Sequence, residues 1–146
     1  MKLVSGITIS LVLLAGTIEW MVDQKSVGHI SAEKHIGDCR AIEFSGAEAY
    51  RSSDKTAVII TAEGVQGPIE ALFVLSNDSI ELMEILRSNE GLNRSALNDP
   101  HFLRAFQQDL KDLPLKVDAV TGATISSQMI IDELNRIIKD RYEKDA

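Results

Sequence analysis

Thr121, Thr124, Ser126 and Ser127 place four hydroxyl groups within the ten residues Asp118-Ala119-Val120-Thr121-Gly122-Ala123-Thr124-Ile125-Ser126-Ser127. A glycine and an acid share the stretch, and an amphipathic pattern begins directly behind it. Such residues form a hydroxyl-rich turn feeding a helix N-terminus. Free backbone N–H groups and the positive end of the helix dipole favour a phosphate there, by roughly 0.3–1 kcal/mol for an exposed charge and up to about 2 kcal/mol when partly buried. Thr124 is an ordinary alcohol, unreactive at neutral pH without a base. No histidine is near it in sequence, and nothing around it resembles a Ser–His–Asp arrangement. The pattern therefore suits an acceptor hydroxyl, or a helix N-cap, better than a nucleophile of the chain's own reaction.

The stretch Asp118-Ala119-Val120-Thr121-Gly122-Ala123-Thr124, followed by Ile125-Ser126-Ser127, resembles the flavinylation motif of the FMN-binding domain family. That family includes the FMN-carrying subunits of the Rnf electron-transport complex and of the sodium-translocating NADH:quinone reductase. In those proteins a dedicated flavin transferase links FMN through a phosphoester to the last Thr of the motif. The resemblance implies that Thr124 is the acceptor and FMN the cofactor. Gly122 and Ala123 keep the turn bare for the transferase. Asp118 would orient the turn or help to deprotonate Thr124, and Thr121, Ser126 and Ser127 would bond the phosphate or cap the helix. Two further stretches are candidates to wall the isoalloxazine, Gly67-Pro68-Ile69 and the turn around Gly91-Leu92. In the relatives the second reads Glu-Thr-Pro-Gly-Leu-Gly. Here it is Ser88-Asn89-Glu90-Gly91-Leu92-Asn93, which keeps the central Gly-Leu and departs on both sides.

The elements that must position these residues are partly visible in the pattern. Ala57-Val58-Ile59-Ile60-Thr61-Ala62 is β-branched and reads as a strand. Gly64 and Gly67-Pro68 punctuate the chain after it, Ile69 to Leu75 reads as a second strand, and Asn77-Asp78 as a turn. Ile80, Leu82, Met83, Ile85 and Leu86 suit either a helix or a buried strand. Residues 62–69, then strand, turn and strand, resemble the family's Gly-Pro-Ile meander, which assigns 80–87 as a strand. Asn98-Asp99-Pro100 starts a helix with an Asx cap and Pro in the first turn, and Phe102, Leu103, Phe106 and Leu110 come next at helical spacing. This too resembles the family, in which an Asp-Pro-Xaa-Phe-Leu helix precedes the flavin motif. A last helix is predicted from about Thr124 to Arg141, with Ile130, Leu134, Ile137 and Ile138 as its buried stripe. Upstream, residues 23–37 read as a linker or short juxtamembrane helix. Ala41–Phe44 and Ala49–Arg51 read as short strands or turns.

The first twenty-two residues are of a different kind. Leu3 to Val22 is almost wholly apolar, and twenty helical residues span about 30 Å, the thickness of a bilayer core. Glu19 and Trp20 sit near the far end, where a carboxylate can reach the interface and an indole suits it. The run is long for a signal-peptide core and no clean small-Xaa-small site comes after it, which favours an uncleaved transmembrane anchor. Placement of the folded part on the extracytoplasmic, periplasmic side is what the family resemblance implies.

Composition sets the outer bounds. The chain has 146 residues, 45% of them hydrophobic, and a formal charge of −7, which argues against a nucleic-acid partner. Cys39 is the only cysteine, so no intramolecular disulfide forms, and His29, His35 and Cys39 fit no standard zinc spacing.

The expected architecture is α+β, a small antiparallel sheet packed with helices and preceded by one N-terminal transmembrane helix. Residues 1–22 form the anchor, 23–44 a juxtamembrane linker and 45–146 the FMN-binding domain. The resemblance implies an electron-transfer flavoprotein subunit of a membrane redox complex, with the transferase and the other subunits as partners. A flavin-binding sensory or assembly module is the alternative. A self-contained flavin reductase is less well supported, because no Gly-Xaa-Gly-Xaa-Xaa-Gly dinucleotide turn is present.

Overall fold

A computed structural model describes residues 25–91, 94–111 and 113–145. The expected anchor, residues 1–22, lies outside them. No helix among the described residues is long and apolar enough to cross a membrane.

Five strands form one antiparallel meander in sequence order: β1 (Arg40–Phe44), β2 (Ala47–Arg51), β3 (Lys55–Gly64), β4 (Gly67–Ser76) and β5 (Ser79–Arg87). Two-residue turns join β1 to β2 at Ser45-Gly46, β3 to β4 at Val65-Gln66, and β4 to β5 at Asn77-Asp78. The central strands β3 and β4 are buried on both faces, which is why each reads as an unbroken apolar run and not as a strict alternation. Val58, Ile60, Ala71, Phe73 and Leu75 look into the larger core; Ala57, Ile59, Leu72 and Val74 look into a smaller one.

β5 explains the ambiguity of its own sequence. Register shifts against β4 occur between Glu70 and Ala71 and between Val74 and Leu75. Leu75 thus faces Ile80 while Phe73 faces Met83, so two core residues stand three apart in a strand, at helical spacing. The strand assignment of 80–87 holds, and the bulges are the reason that periodicity alone did not decide it.

The helices complete a three-layer arrangement. α1 (Val27–Ile36) lies on the small-core face, capped by Ser26, whose Oγ accepts from His29 N–H at 3.1 Å. It buries Gly28, Ala32 and Ile36, one residue per turn. That stripe is too narrow to stand out in a polar sequence, and β1 comes directly after it. Most of the stretch drawn as linker is therefore part of the folded unit. On the other face lie α2 (Arg94–Leu97), α3 (Pro100–Ala105) and the long α4 (Thr124–Asp145). α4 buries Ile130, Ile131, Leu134, Ile137 and Ile138.

α3 begins as expected: Asp99 Oδ1 accepts from His101 N–H at 2.7 Å and from Phe102 N–H at 3.4 Å. It ends sooner than the spacing of Phe102, Phe106 and Leu110 suggests. Beyond Phe106 the backbone turns to the sheet, where Ile80 N–H donates to Gln108 C=O and Leu110 N–H donates to Asp78 C=O. Leu110 is buried, but from a turn just past the bridge at Asp109 and not from the helix.

Phe106 is fully buried, with its ring meeting Phe73 at 5.3 Å and Phe102 at 5.1 Å in edge-on contacts. Phe106→Ala should cost about 3–5 kcal/mol. Urea unfolding checks this: the midpoint falls while the slope stays constant, and a loss under about 1 kcal/mol would contradict this packing.

Candidate functional site

The hydroxyl-rich stretch folds as a turn running into the first residue of α4. Ser127 N–H donates to Ala123 C=O at 2.9 Å, the first helical bond, so Ala123 holds the cap position. A methyl group accepts no hydrogen bond, and the N–H groups of Thr124, Ile125 and Ser126 have no carbonyl one turn back within the helix. Ala123 is buried in the main core and pins the turn from beneath. Gly122 has φ +90°, and a Cβ there would meet nothing within 4 Å, so its backbone angle and not crowding calls for glycine. Thr121, Gly122 and Thr124 are exposed. Thr124 Oγ1 donates to Val120 C=O at 3.3 Å, a contact that leaves it unactivated.

Ser126 and Ser127 point the other way. At 100° per residue they share a helix face with Ile130 and Leu134, and both are buried. Ser127 Oγ accepts from Val120 N–H at 2.9 Å and donates to Ala123 C=O at 2.8 Å, lacing the turn to the helix. Ser127 ties the turn to the helix, while the cap position itself is held by Ala123. Ser126 Oγ accepts from Val65 N–H at 3.3 Å and donates to Glu90 Oε2 at 2.5 Å. Neither hydroxyl faces the solvent side where Thr124 stands. Asp118 is exposed, and the turn's N–H groups at Val120 and Ala123 are bonded to Ser127 Oγ and Val120 C=O. The turn is thus held without Asp118.

Glu90 was not singled out from sequence. It comes after β5 in a polar stretch, at the place of Pro in the Glu-Thr-Pro-Gly-Leu-Gly of the relatives, and reads as a solvated acid. In the structure it is fully buried. Its Oε1 accepts from Gln66 N–H at 3.0 Å while Oε2 takes the Ser126 hydroxyl, so one carboxylate joins the β3–β4 turn to the first turn of α4. Gly64 makes the room: a Cβ there would collide with Glu90 Oε1 and lie 2.7 Å from Ile69 Cδ1. From sequence only the glycine itself is visible, and it carries no meaning for Glu90 until the fold brings the two together.

The same contacts gather the two candidate ring-wall stretches. A Cβ on Gly67 would be 3.6 Å from Asn89 Nδ2, and one on Gly91 2.9 Å from Gln66 Oε1. Pro68 is exposed beside them, and Leu92 lies outside the described residues. Around the start of α4, Val65, Ile125 and Met129 are exposed apolar side chains that were not expected from sequence. His29 and His35 belong elsewhere: His29 stacks on Tyr50 at 4.7 Å and His35 bonds Glu84. A cleft of about 410 Å³ between Phe44, Leu75, Leu110, Ile138 and Tyr142 is also remote. Ile138 is fourteen helical residues from Thr124, about 21 Å at 1.5 Å each.

Glu90→Ala should leave the Gln66 N–H and the Ser126 hydroxyl unpaired, at about 1–3 kcal/mol for each donor. Glu90→Gln keeps one acceptor oxygen for the Gln66 N–H, and its NH2 can donate to Ser126 Oγ in place of the present bond, so it should lose less. Amide exchange at Gln66 is the direct readout: it should accelerate in the alanine variant and stay near wild type in the glutamine variant. Equal protection in all three proteins would show that the clasp does not hold the turn.

The β3–β4 turn, the Glu90 clasp, the Asp99-capped helix and the exposed Thr124 are thus parts of one arrangement. The model of the FMN-binding domain matches residues 64–139, which begin at the end of β3 and close within α4. The match contains all of these parts and covers more than half of the chain, so the protein belongs to the FMN-binding domain family and carries a flavin-binding domain.

Proposed function

We propose that the chain holds FMN covalently through a phosphoester on Thr124 Oγ1. The observation that carries this reading is an exposed hydroxyl on the first residue of a long helix whose cap residue is alanine. An alcohol bonded only to a carbonyl oxygen has no base to activate it, so attachment falls to a separate flavin transferase. The exposed Thr121-Gly122 turn gives that enzyme access.

The residues present suit the group. A phosphate on Thr124 meets the positive end of α4 and N–H groups that the alanine cap leaves unbonded, worth roughly 0.3–1 kcal/mol on an exposed surface. Thr121 offers a further hydroxyl on the same side. Val65, Ile125 and Met129 supply apolar surface for a ring, with Gly67, Pro68 and Gly91 close by. FMN, when bound, supplies one- and two-electron redox chemistry. The chain contributes position: the turn is pinned by Ala123, laced by Ser127 and braced through Ser126 to Glu90.

In this reading residues 1–22 are a single-pass membrane anchor and the folded domain faces the extracytoplasmic side. The protein is an electron-transfer subunit of a membrane redox complex. A covalent link suits that setting, because the cofactor cannot escape into a large outer volume and its distance from neighbouring redox centres stays fixed.

Co-expression with a flavin transferase, followed by mass spectrometry, tests the central claim. The peptide containing Thr124 should gain one FMN-phosphoryl mass, and Thr124→Ala should abolish the gain while the fold survives. An unmodified chain, in cells where a proven acceptor is labelled, overturns the proposal and favours a sensory or assembly module.

A further inference from the structure

The exposed large apolar side chains of the described residues fall mainly in two places. Val65, Ile125 and Met129 belong to the site above. Val27 and Ile30 stand apart on α1, 71% and 57% exposed. α1 lays Gly28, Ala32 and Ile36 on the sheet, and at 100° per residue this turns Val27, Ile30 and Lys34 to the opposite side. Positions spaced by three and four residues form one stripe, here two β-branched apolar side chains and then an exposed lysine. Lys25 pairs with Glu33 at 2.5 Å and Lys34 with Glu84 at 3.4 Å, so both lysines already have a carboxylate partner.

The chain just before α1 indicates what meets this stripe. The apolar run ends at Val22, and only Asp23 to Ser26 separate it from the helix. Four extended residues reach at most about 14 Å. With residues 3–22 in the bilayer, the N-terminal end of α1, which carries Val27 and Ile30, stays within about 14 Å of its surface. We infer that α1 is an interfacial helix: Val27 and Ile30 sink into the headgroup boundary of the bilayer, with the stem of Lys34 along the same stripe. This inference rests on the anchor part of the proposed function. It adds an attitude for the domain. α4 packs on the other face of the sheet, so the sheet stands between the lipid and α4, and the flavin helix is turned toward extramembrane partners rather than lipid.

The test uses the full chain with Cys39→Ser, a single spin label at Ile30→Cys or, separately, at Val27→Cys, and a comparison label at Asp132→Cys on the exposed face of α4. The protein is reconstituted in phosphatidylcholine vesicles containing a minor share of phosphatidylglycerol. Labels at 27 and 30 should be several-fold less accessible to a water-soluble nickel chelate, and more accessible to oxygen, than the label at 132. If all three are equally open to nickel while the protein resists an alkaline carbonate wash, the interfacial helix is wrong and the anchor stands. If the wash releases the protein, the anchor fails and the inference falls with it.

Discussion

A carboxylate buried among neutral donors is costly unless its geometry is tight, and Glu90 sets that constraint for the whole site. Its two oxygens are met by a backbone N–H of the β3–β4 turn and by a hydroxyl in the first turn of α4. The helix end contributes as well, since the positive terminus of α4 favours a negative charge beside it. Satisfying this one group brings strand turn, post-β5 loop and helix terminus to fixed positions. The room it needs is provided by Gly64, and its partner Ser126 lies on the inward face of the helix. A structural demand in the interior thereby decides what is displayed outside.

What is displayed is a helix end with its own polar groups sorted by direction. Ser126 and Ser127 turn inward and are bonded within the protein; Thr121 and Thr124 turn outward. The cap position, usually filled by a residue whose side chain accepts the first N–H groups, holds a buried alanine. The site is therefore an exposed prow and not an enclosed pocket. A freely exchanging ligand depends on a deep cleft for its affinity, whereas a covalently held one does not.

Much of this was legible in the residues. The two doubly buried strands announced themselves by continuous β-branched runs, the Asp99-Pro100 start by its cap chemistry, and the last helix by the phase of Ile130, Leu134, Ile137 and Ile138. That same phase already assigns Ser126 and Ser127 to the inner face. β5 was harder, because two bulges gave it helical spacing, and the family pattern resolved it. α1 was faint because it touches the sheet with one residue per turn, two of them Gly28 and Ala32. The early end of α3 depends on hydrogen bonds to Asp78 and Ile80, some thirty residues away in sequence. Glu90 was illegible for a similar reason. Its burial depends on Gly64, Gln66 and Ser126, none of them its sequence neighbours, and an acid in a loop looks the same whether solvated or enclosed.

The alanine cap leaves the start of α4 one side-chain acceptor short of the usual closure. Without a side-chain acceptor at its start, that first turn relies on Ser126, Ser127 and the buried Ala123 to hold it. A phosphate esterified at Thr124 would close it from outside, so cofactor loading would also stiffen the helix. Cofactor attachment and the rigidity of the helix end would then be coupled through a single missing hydrogen-bond acceptor.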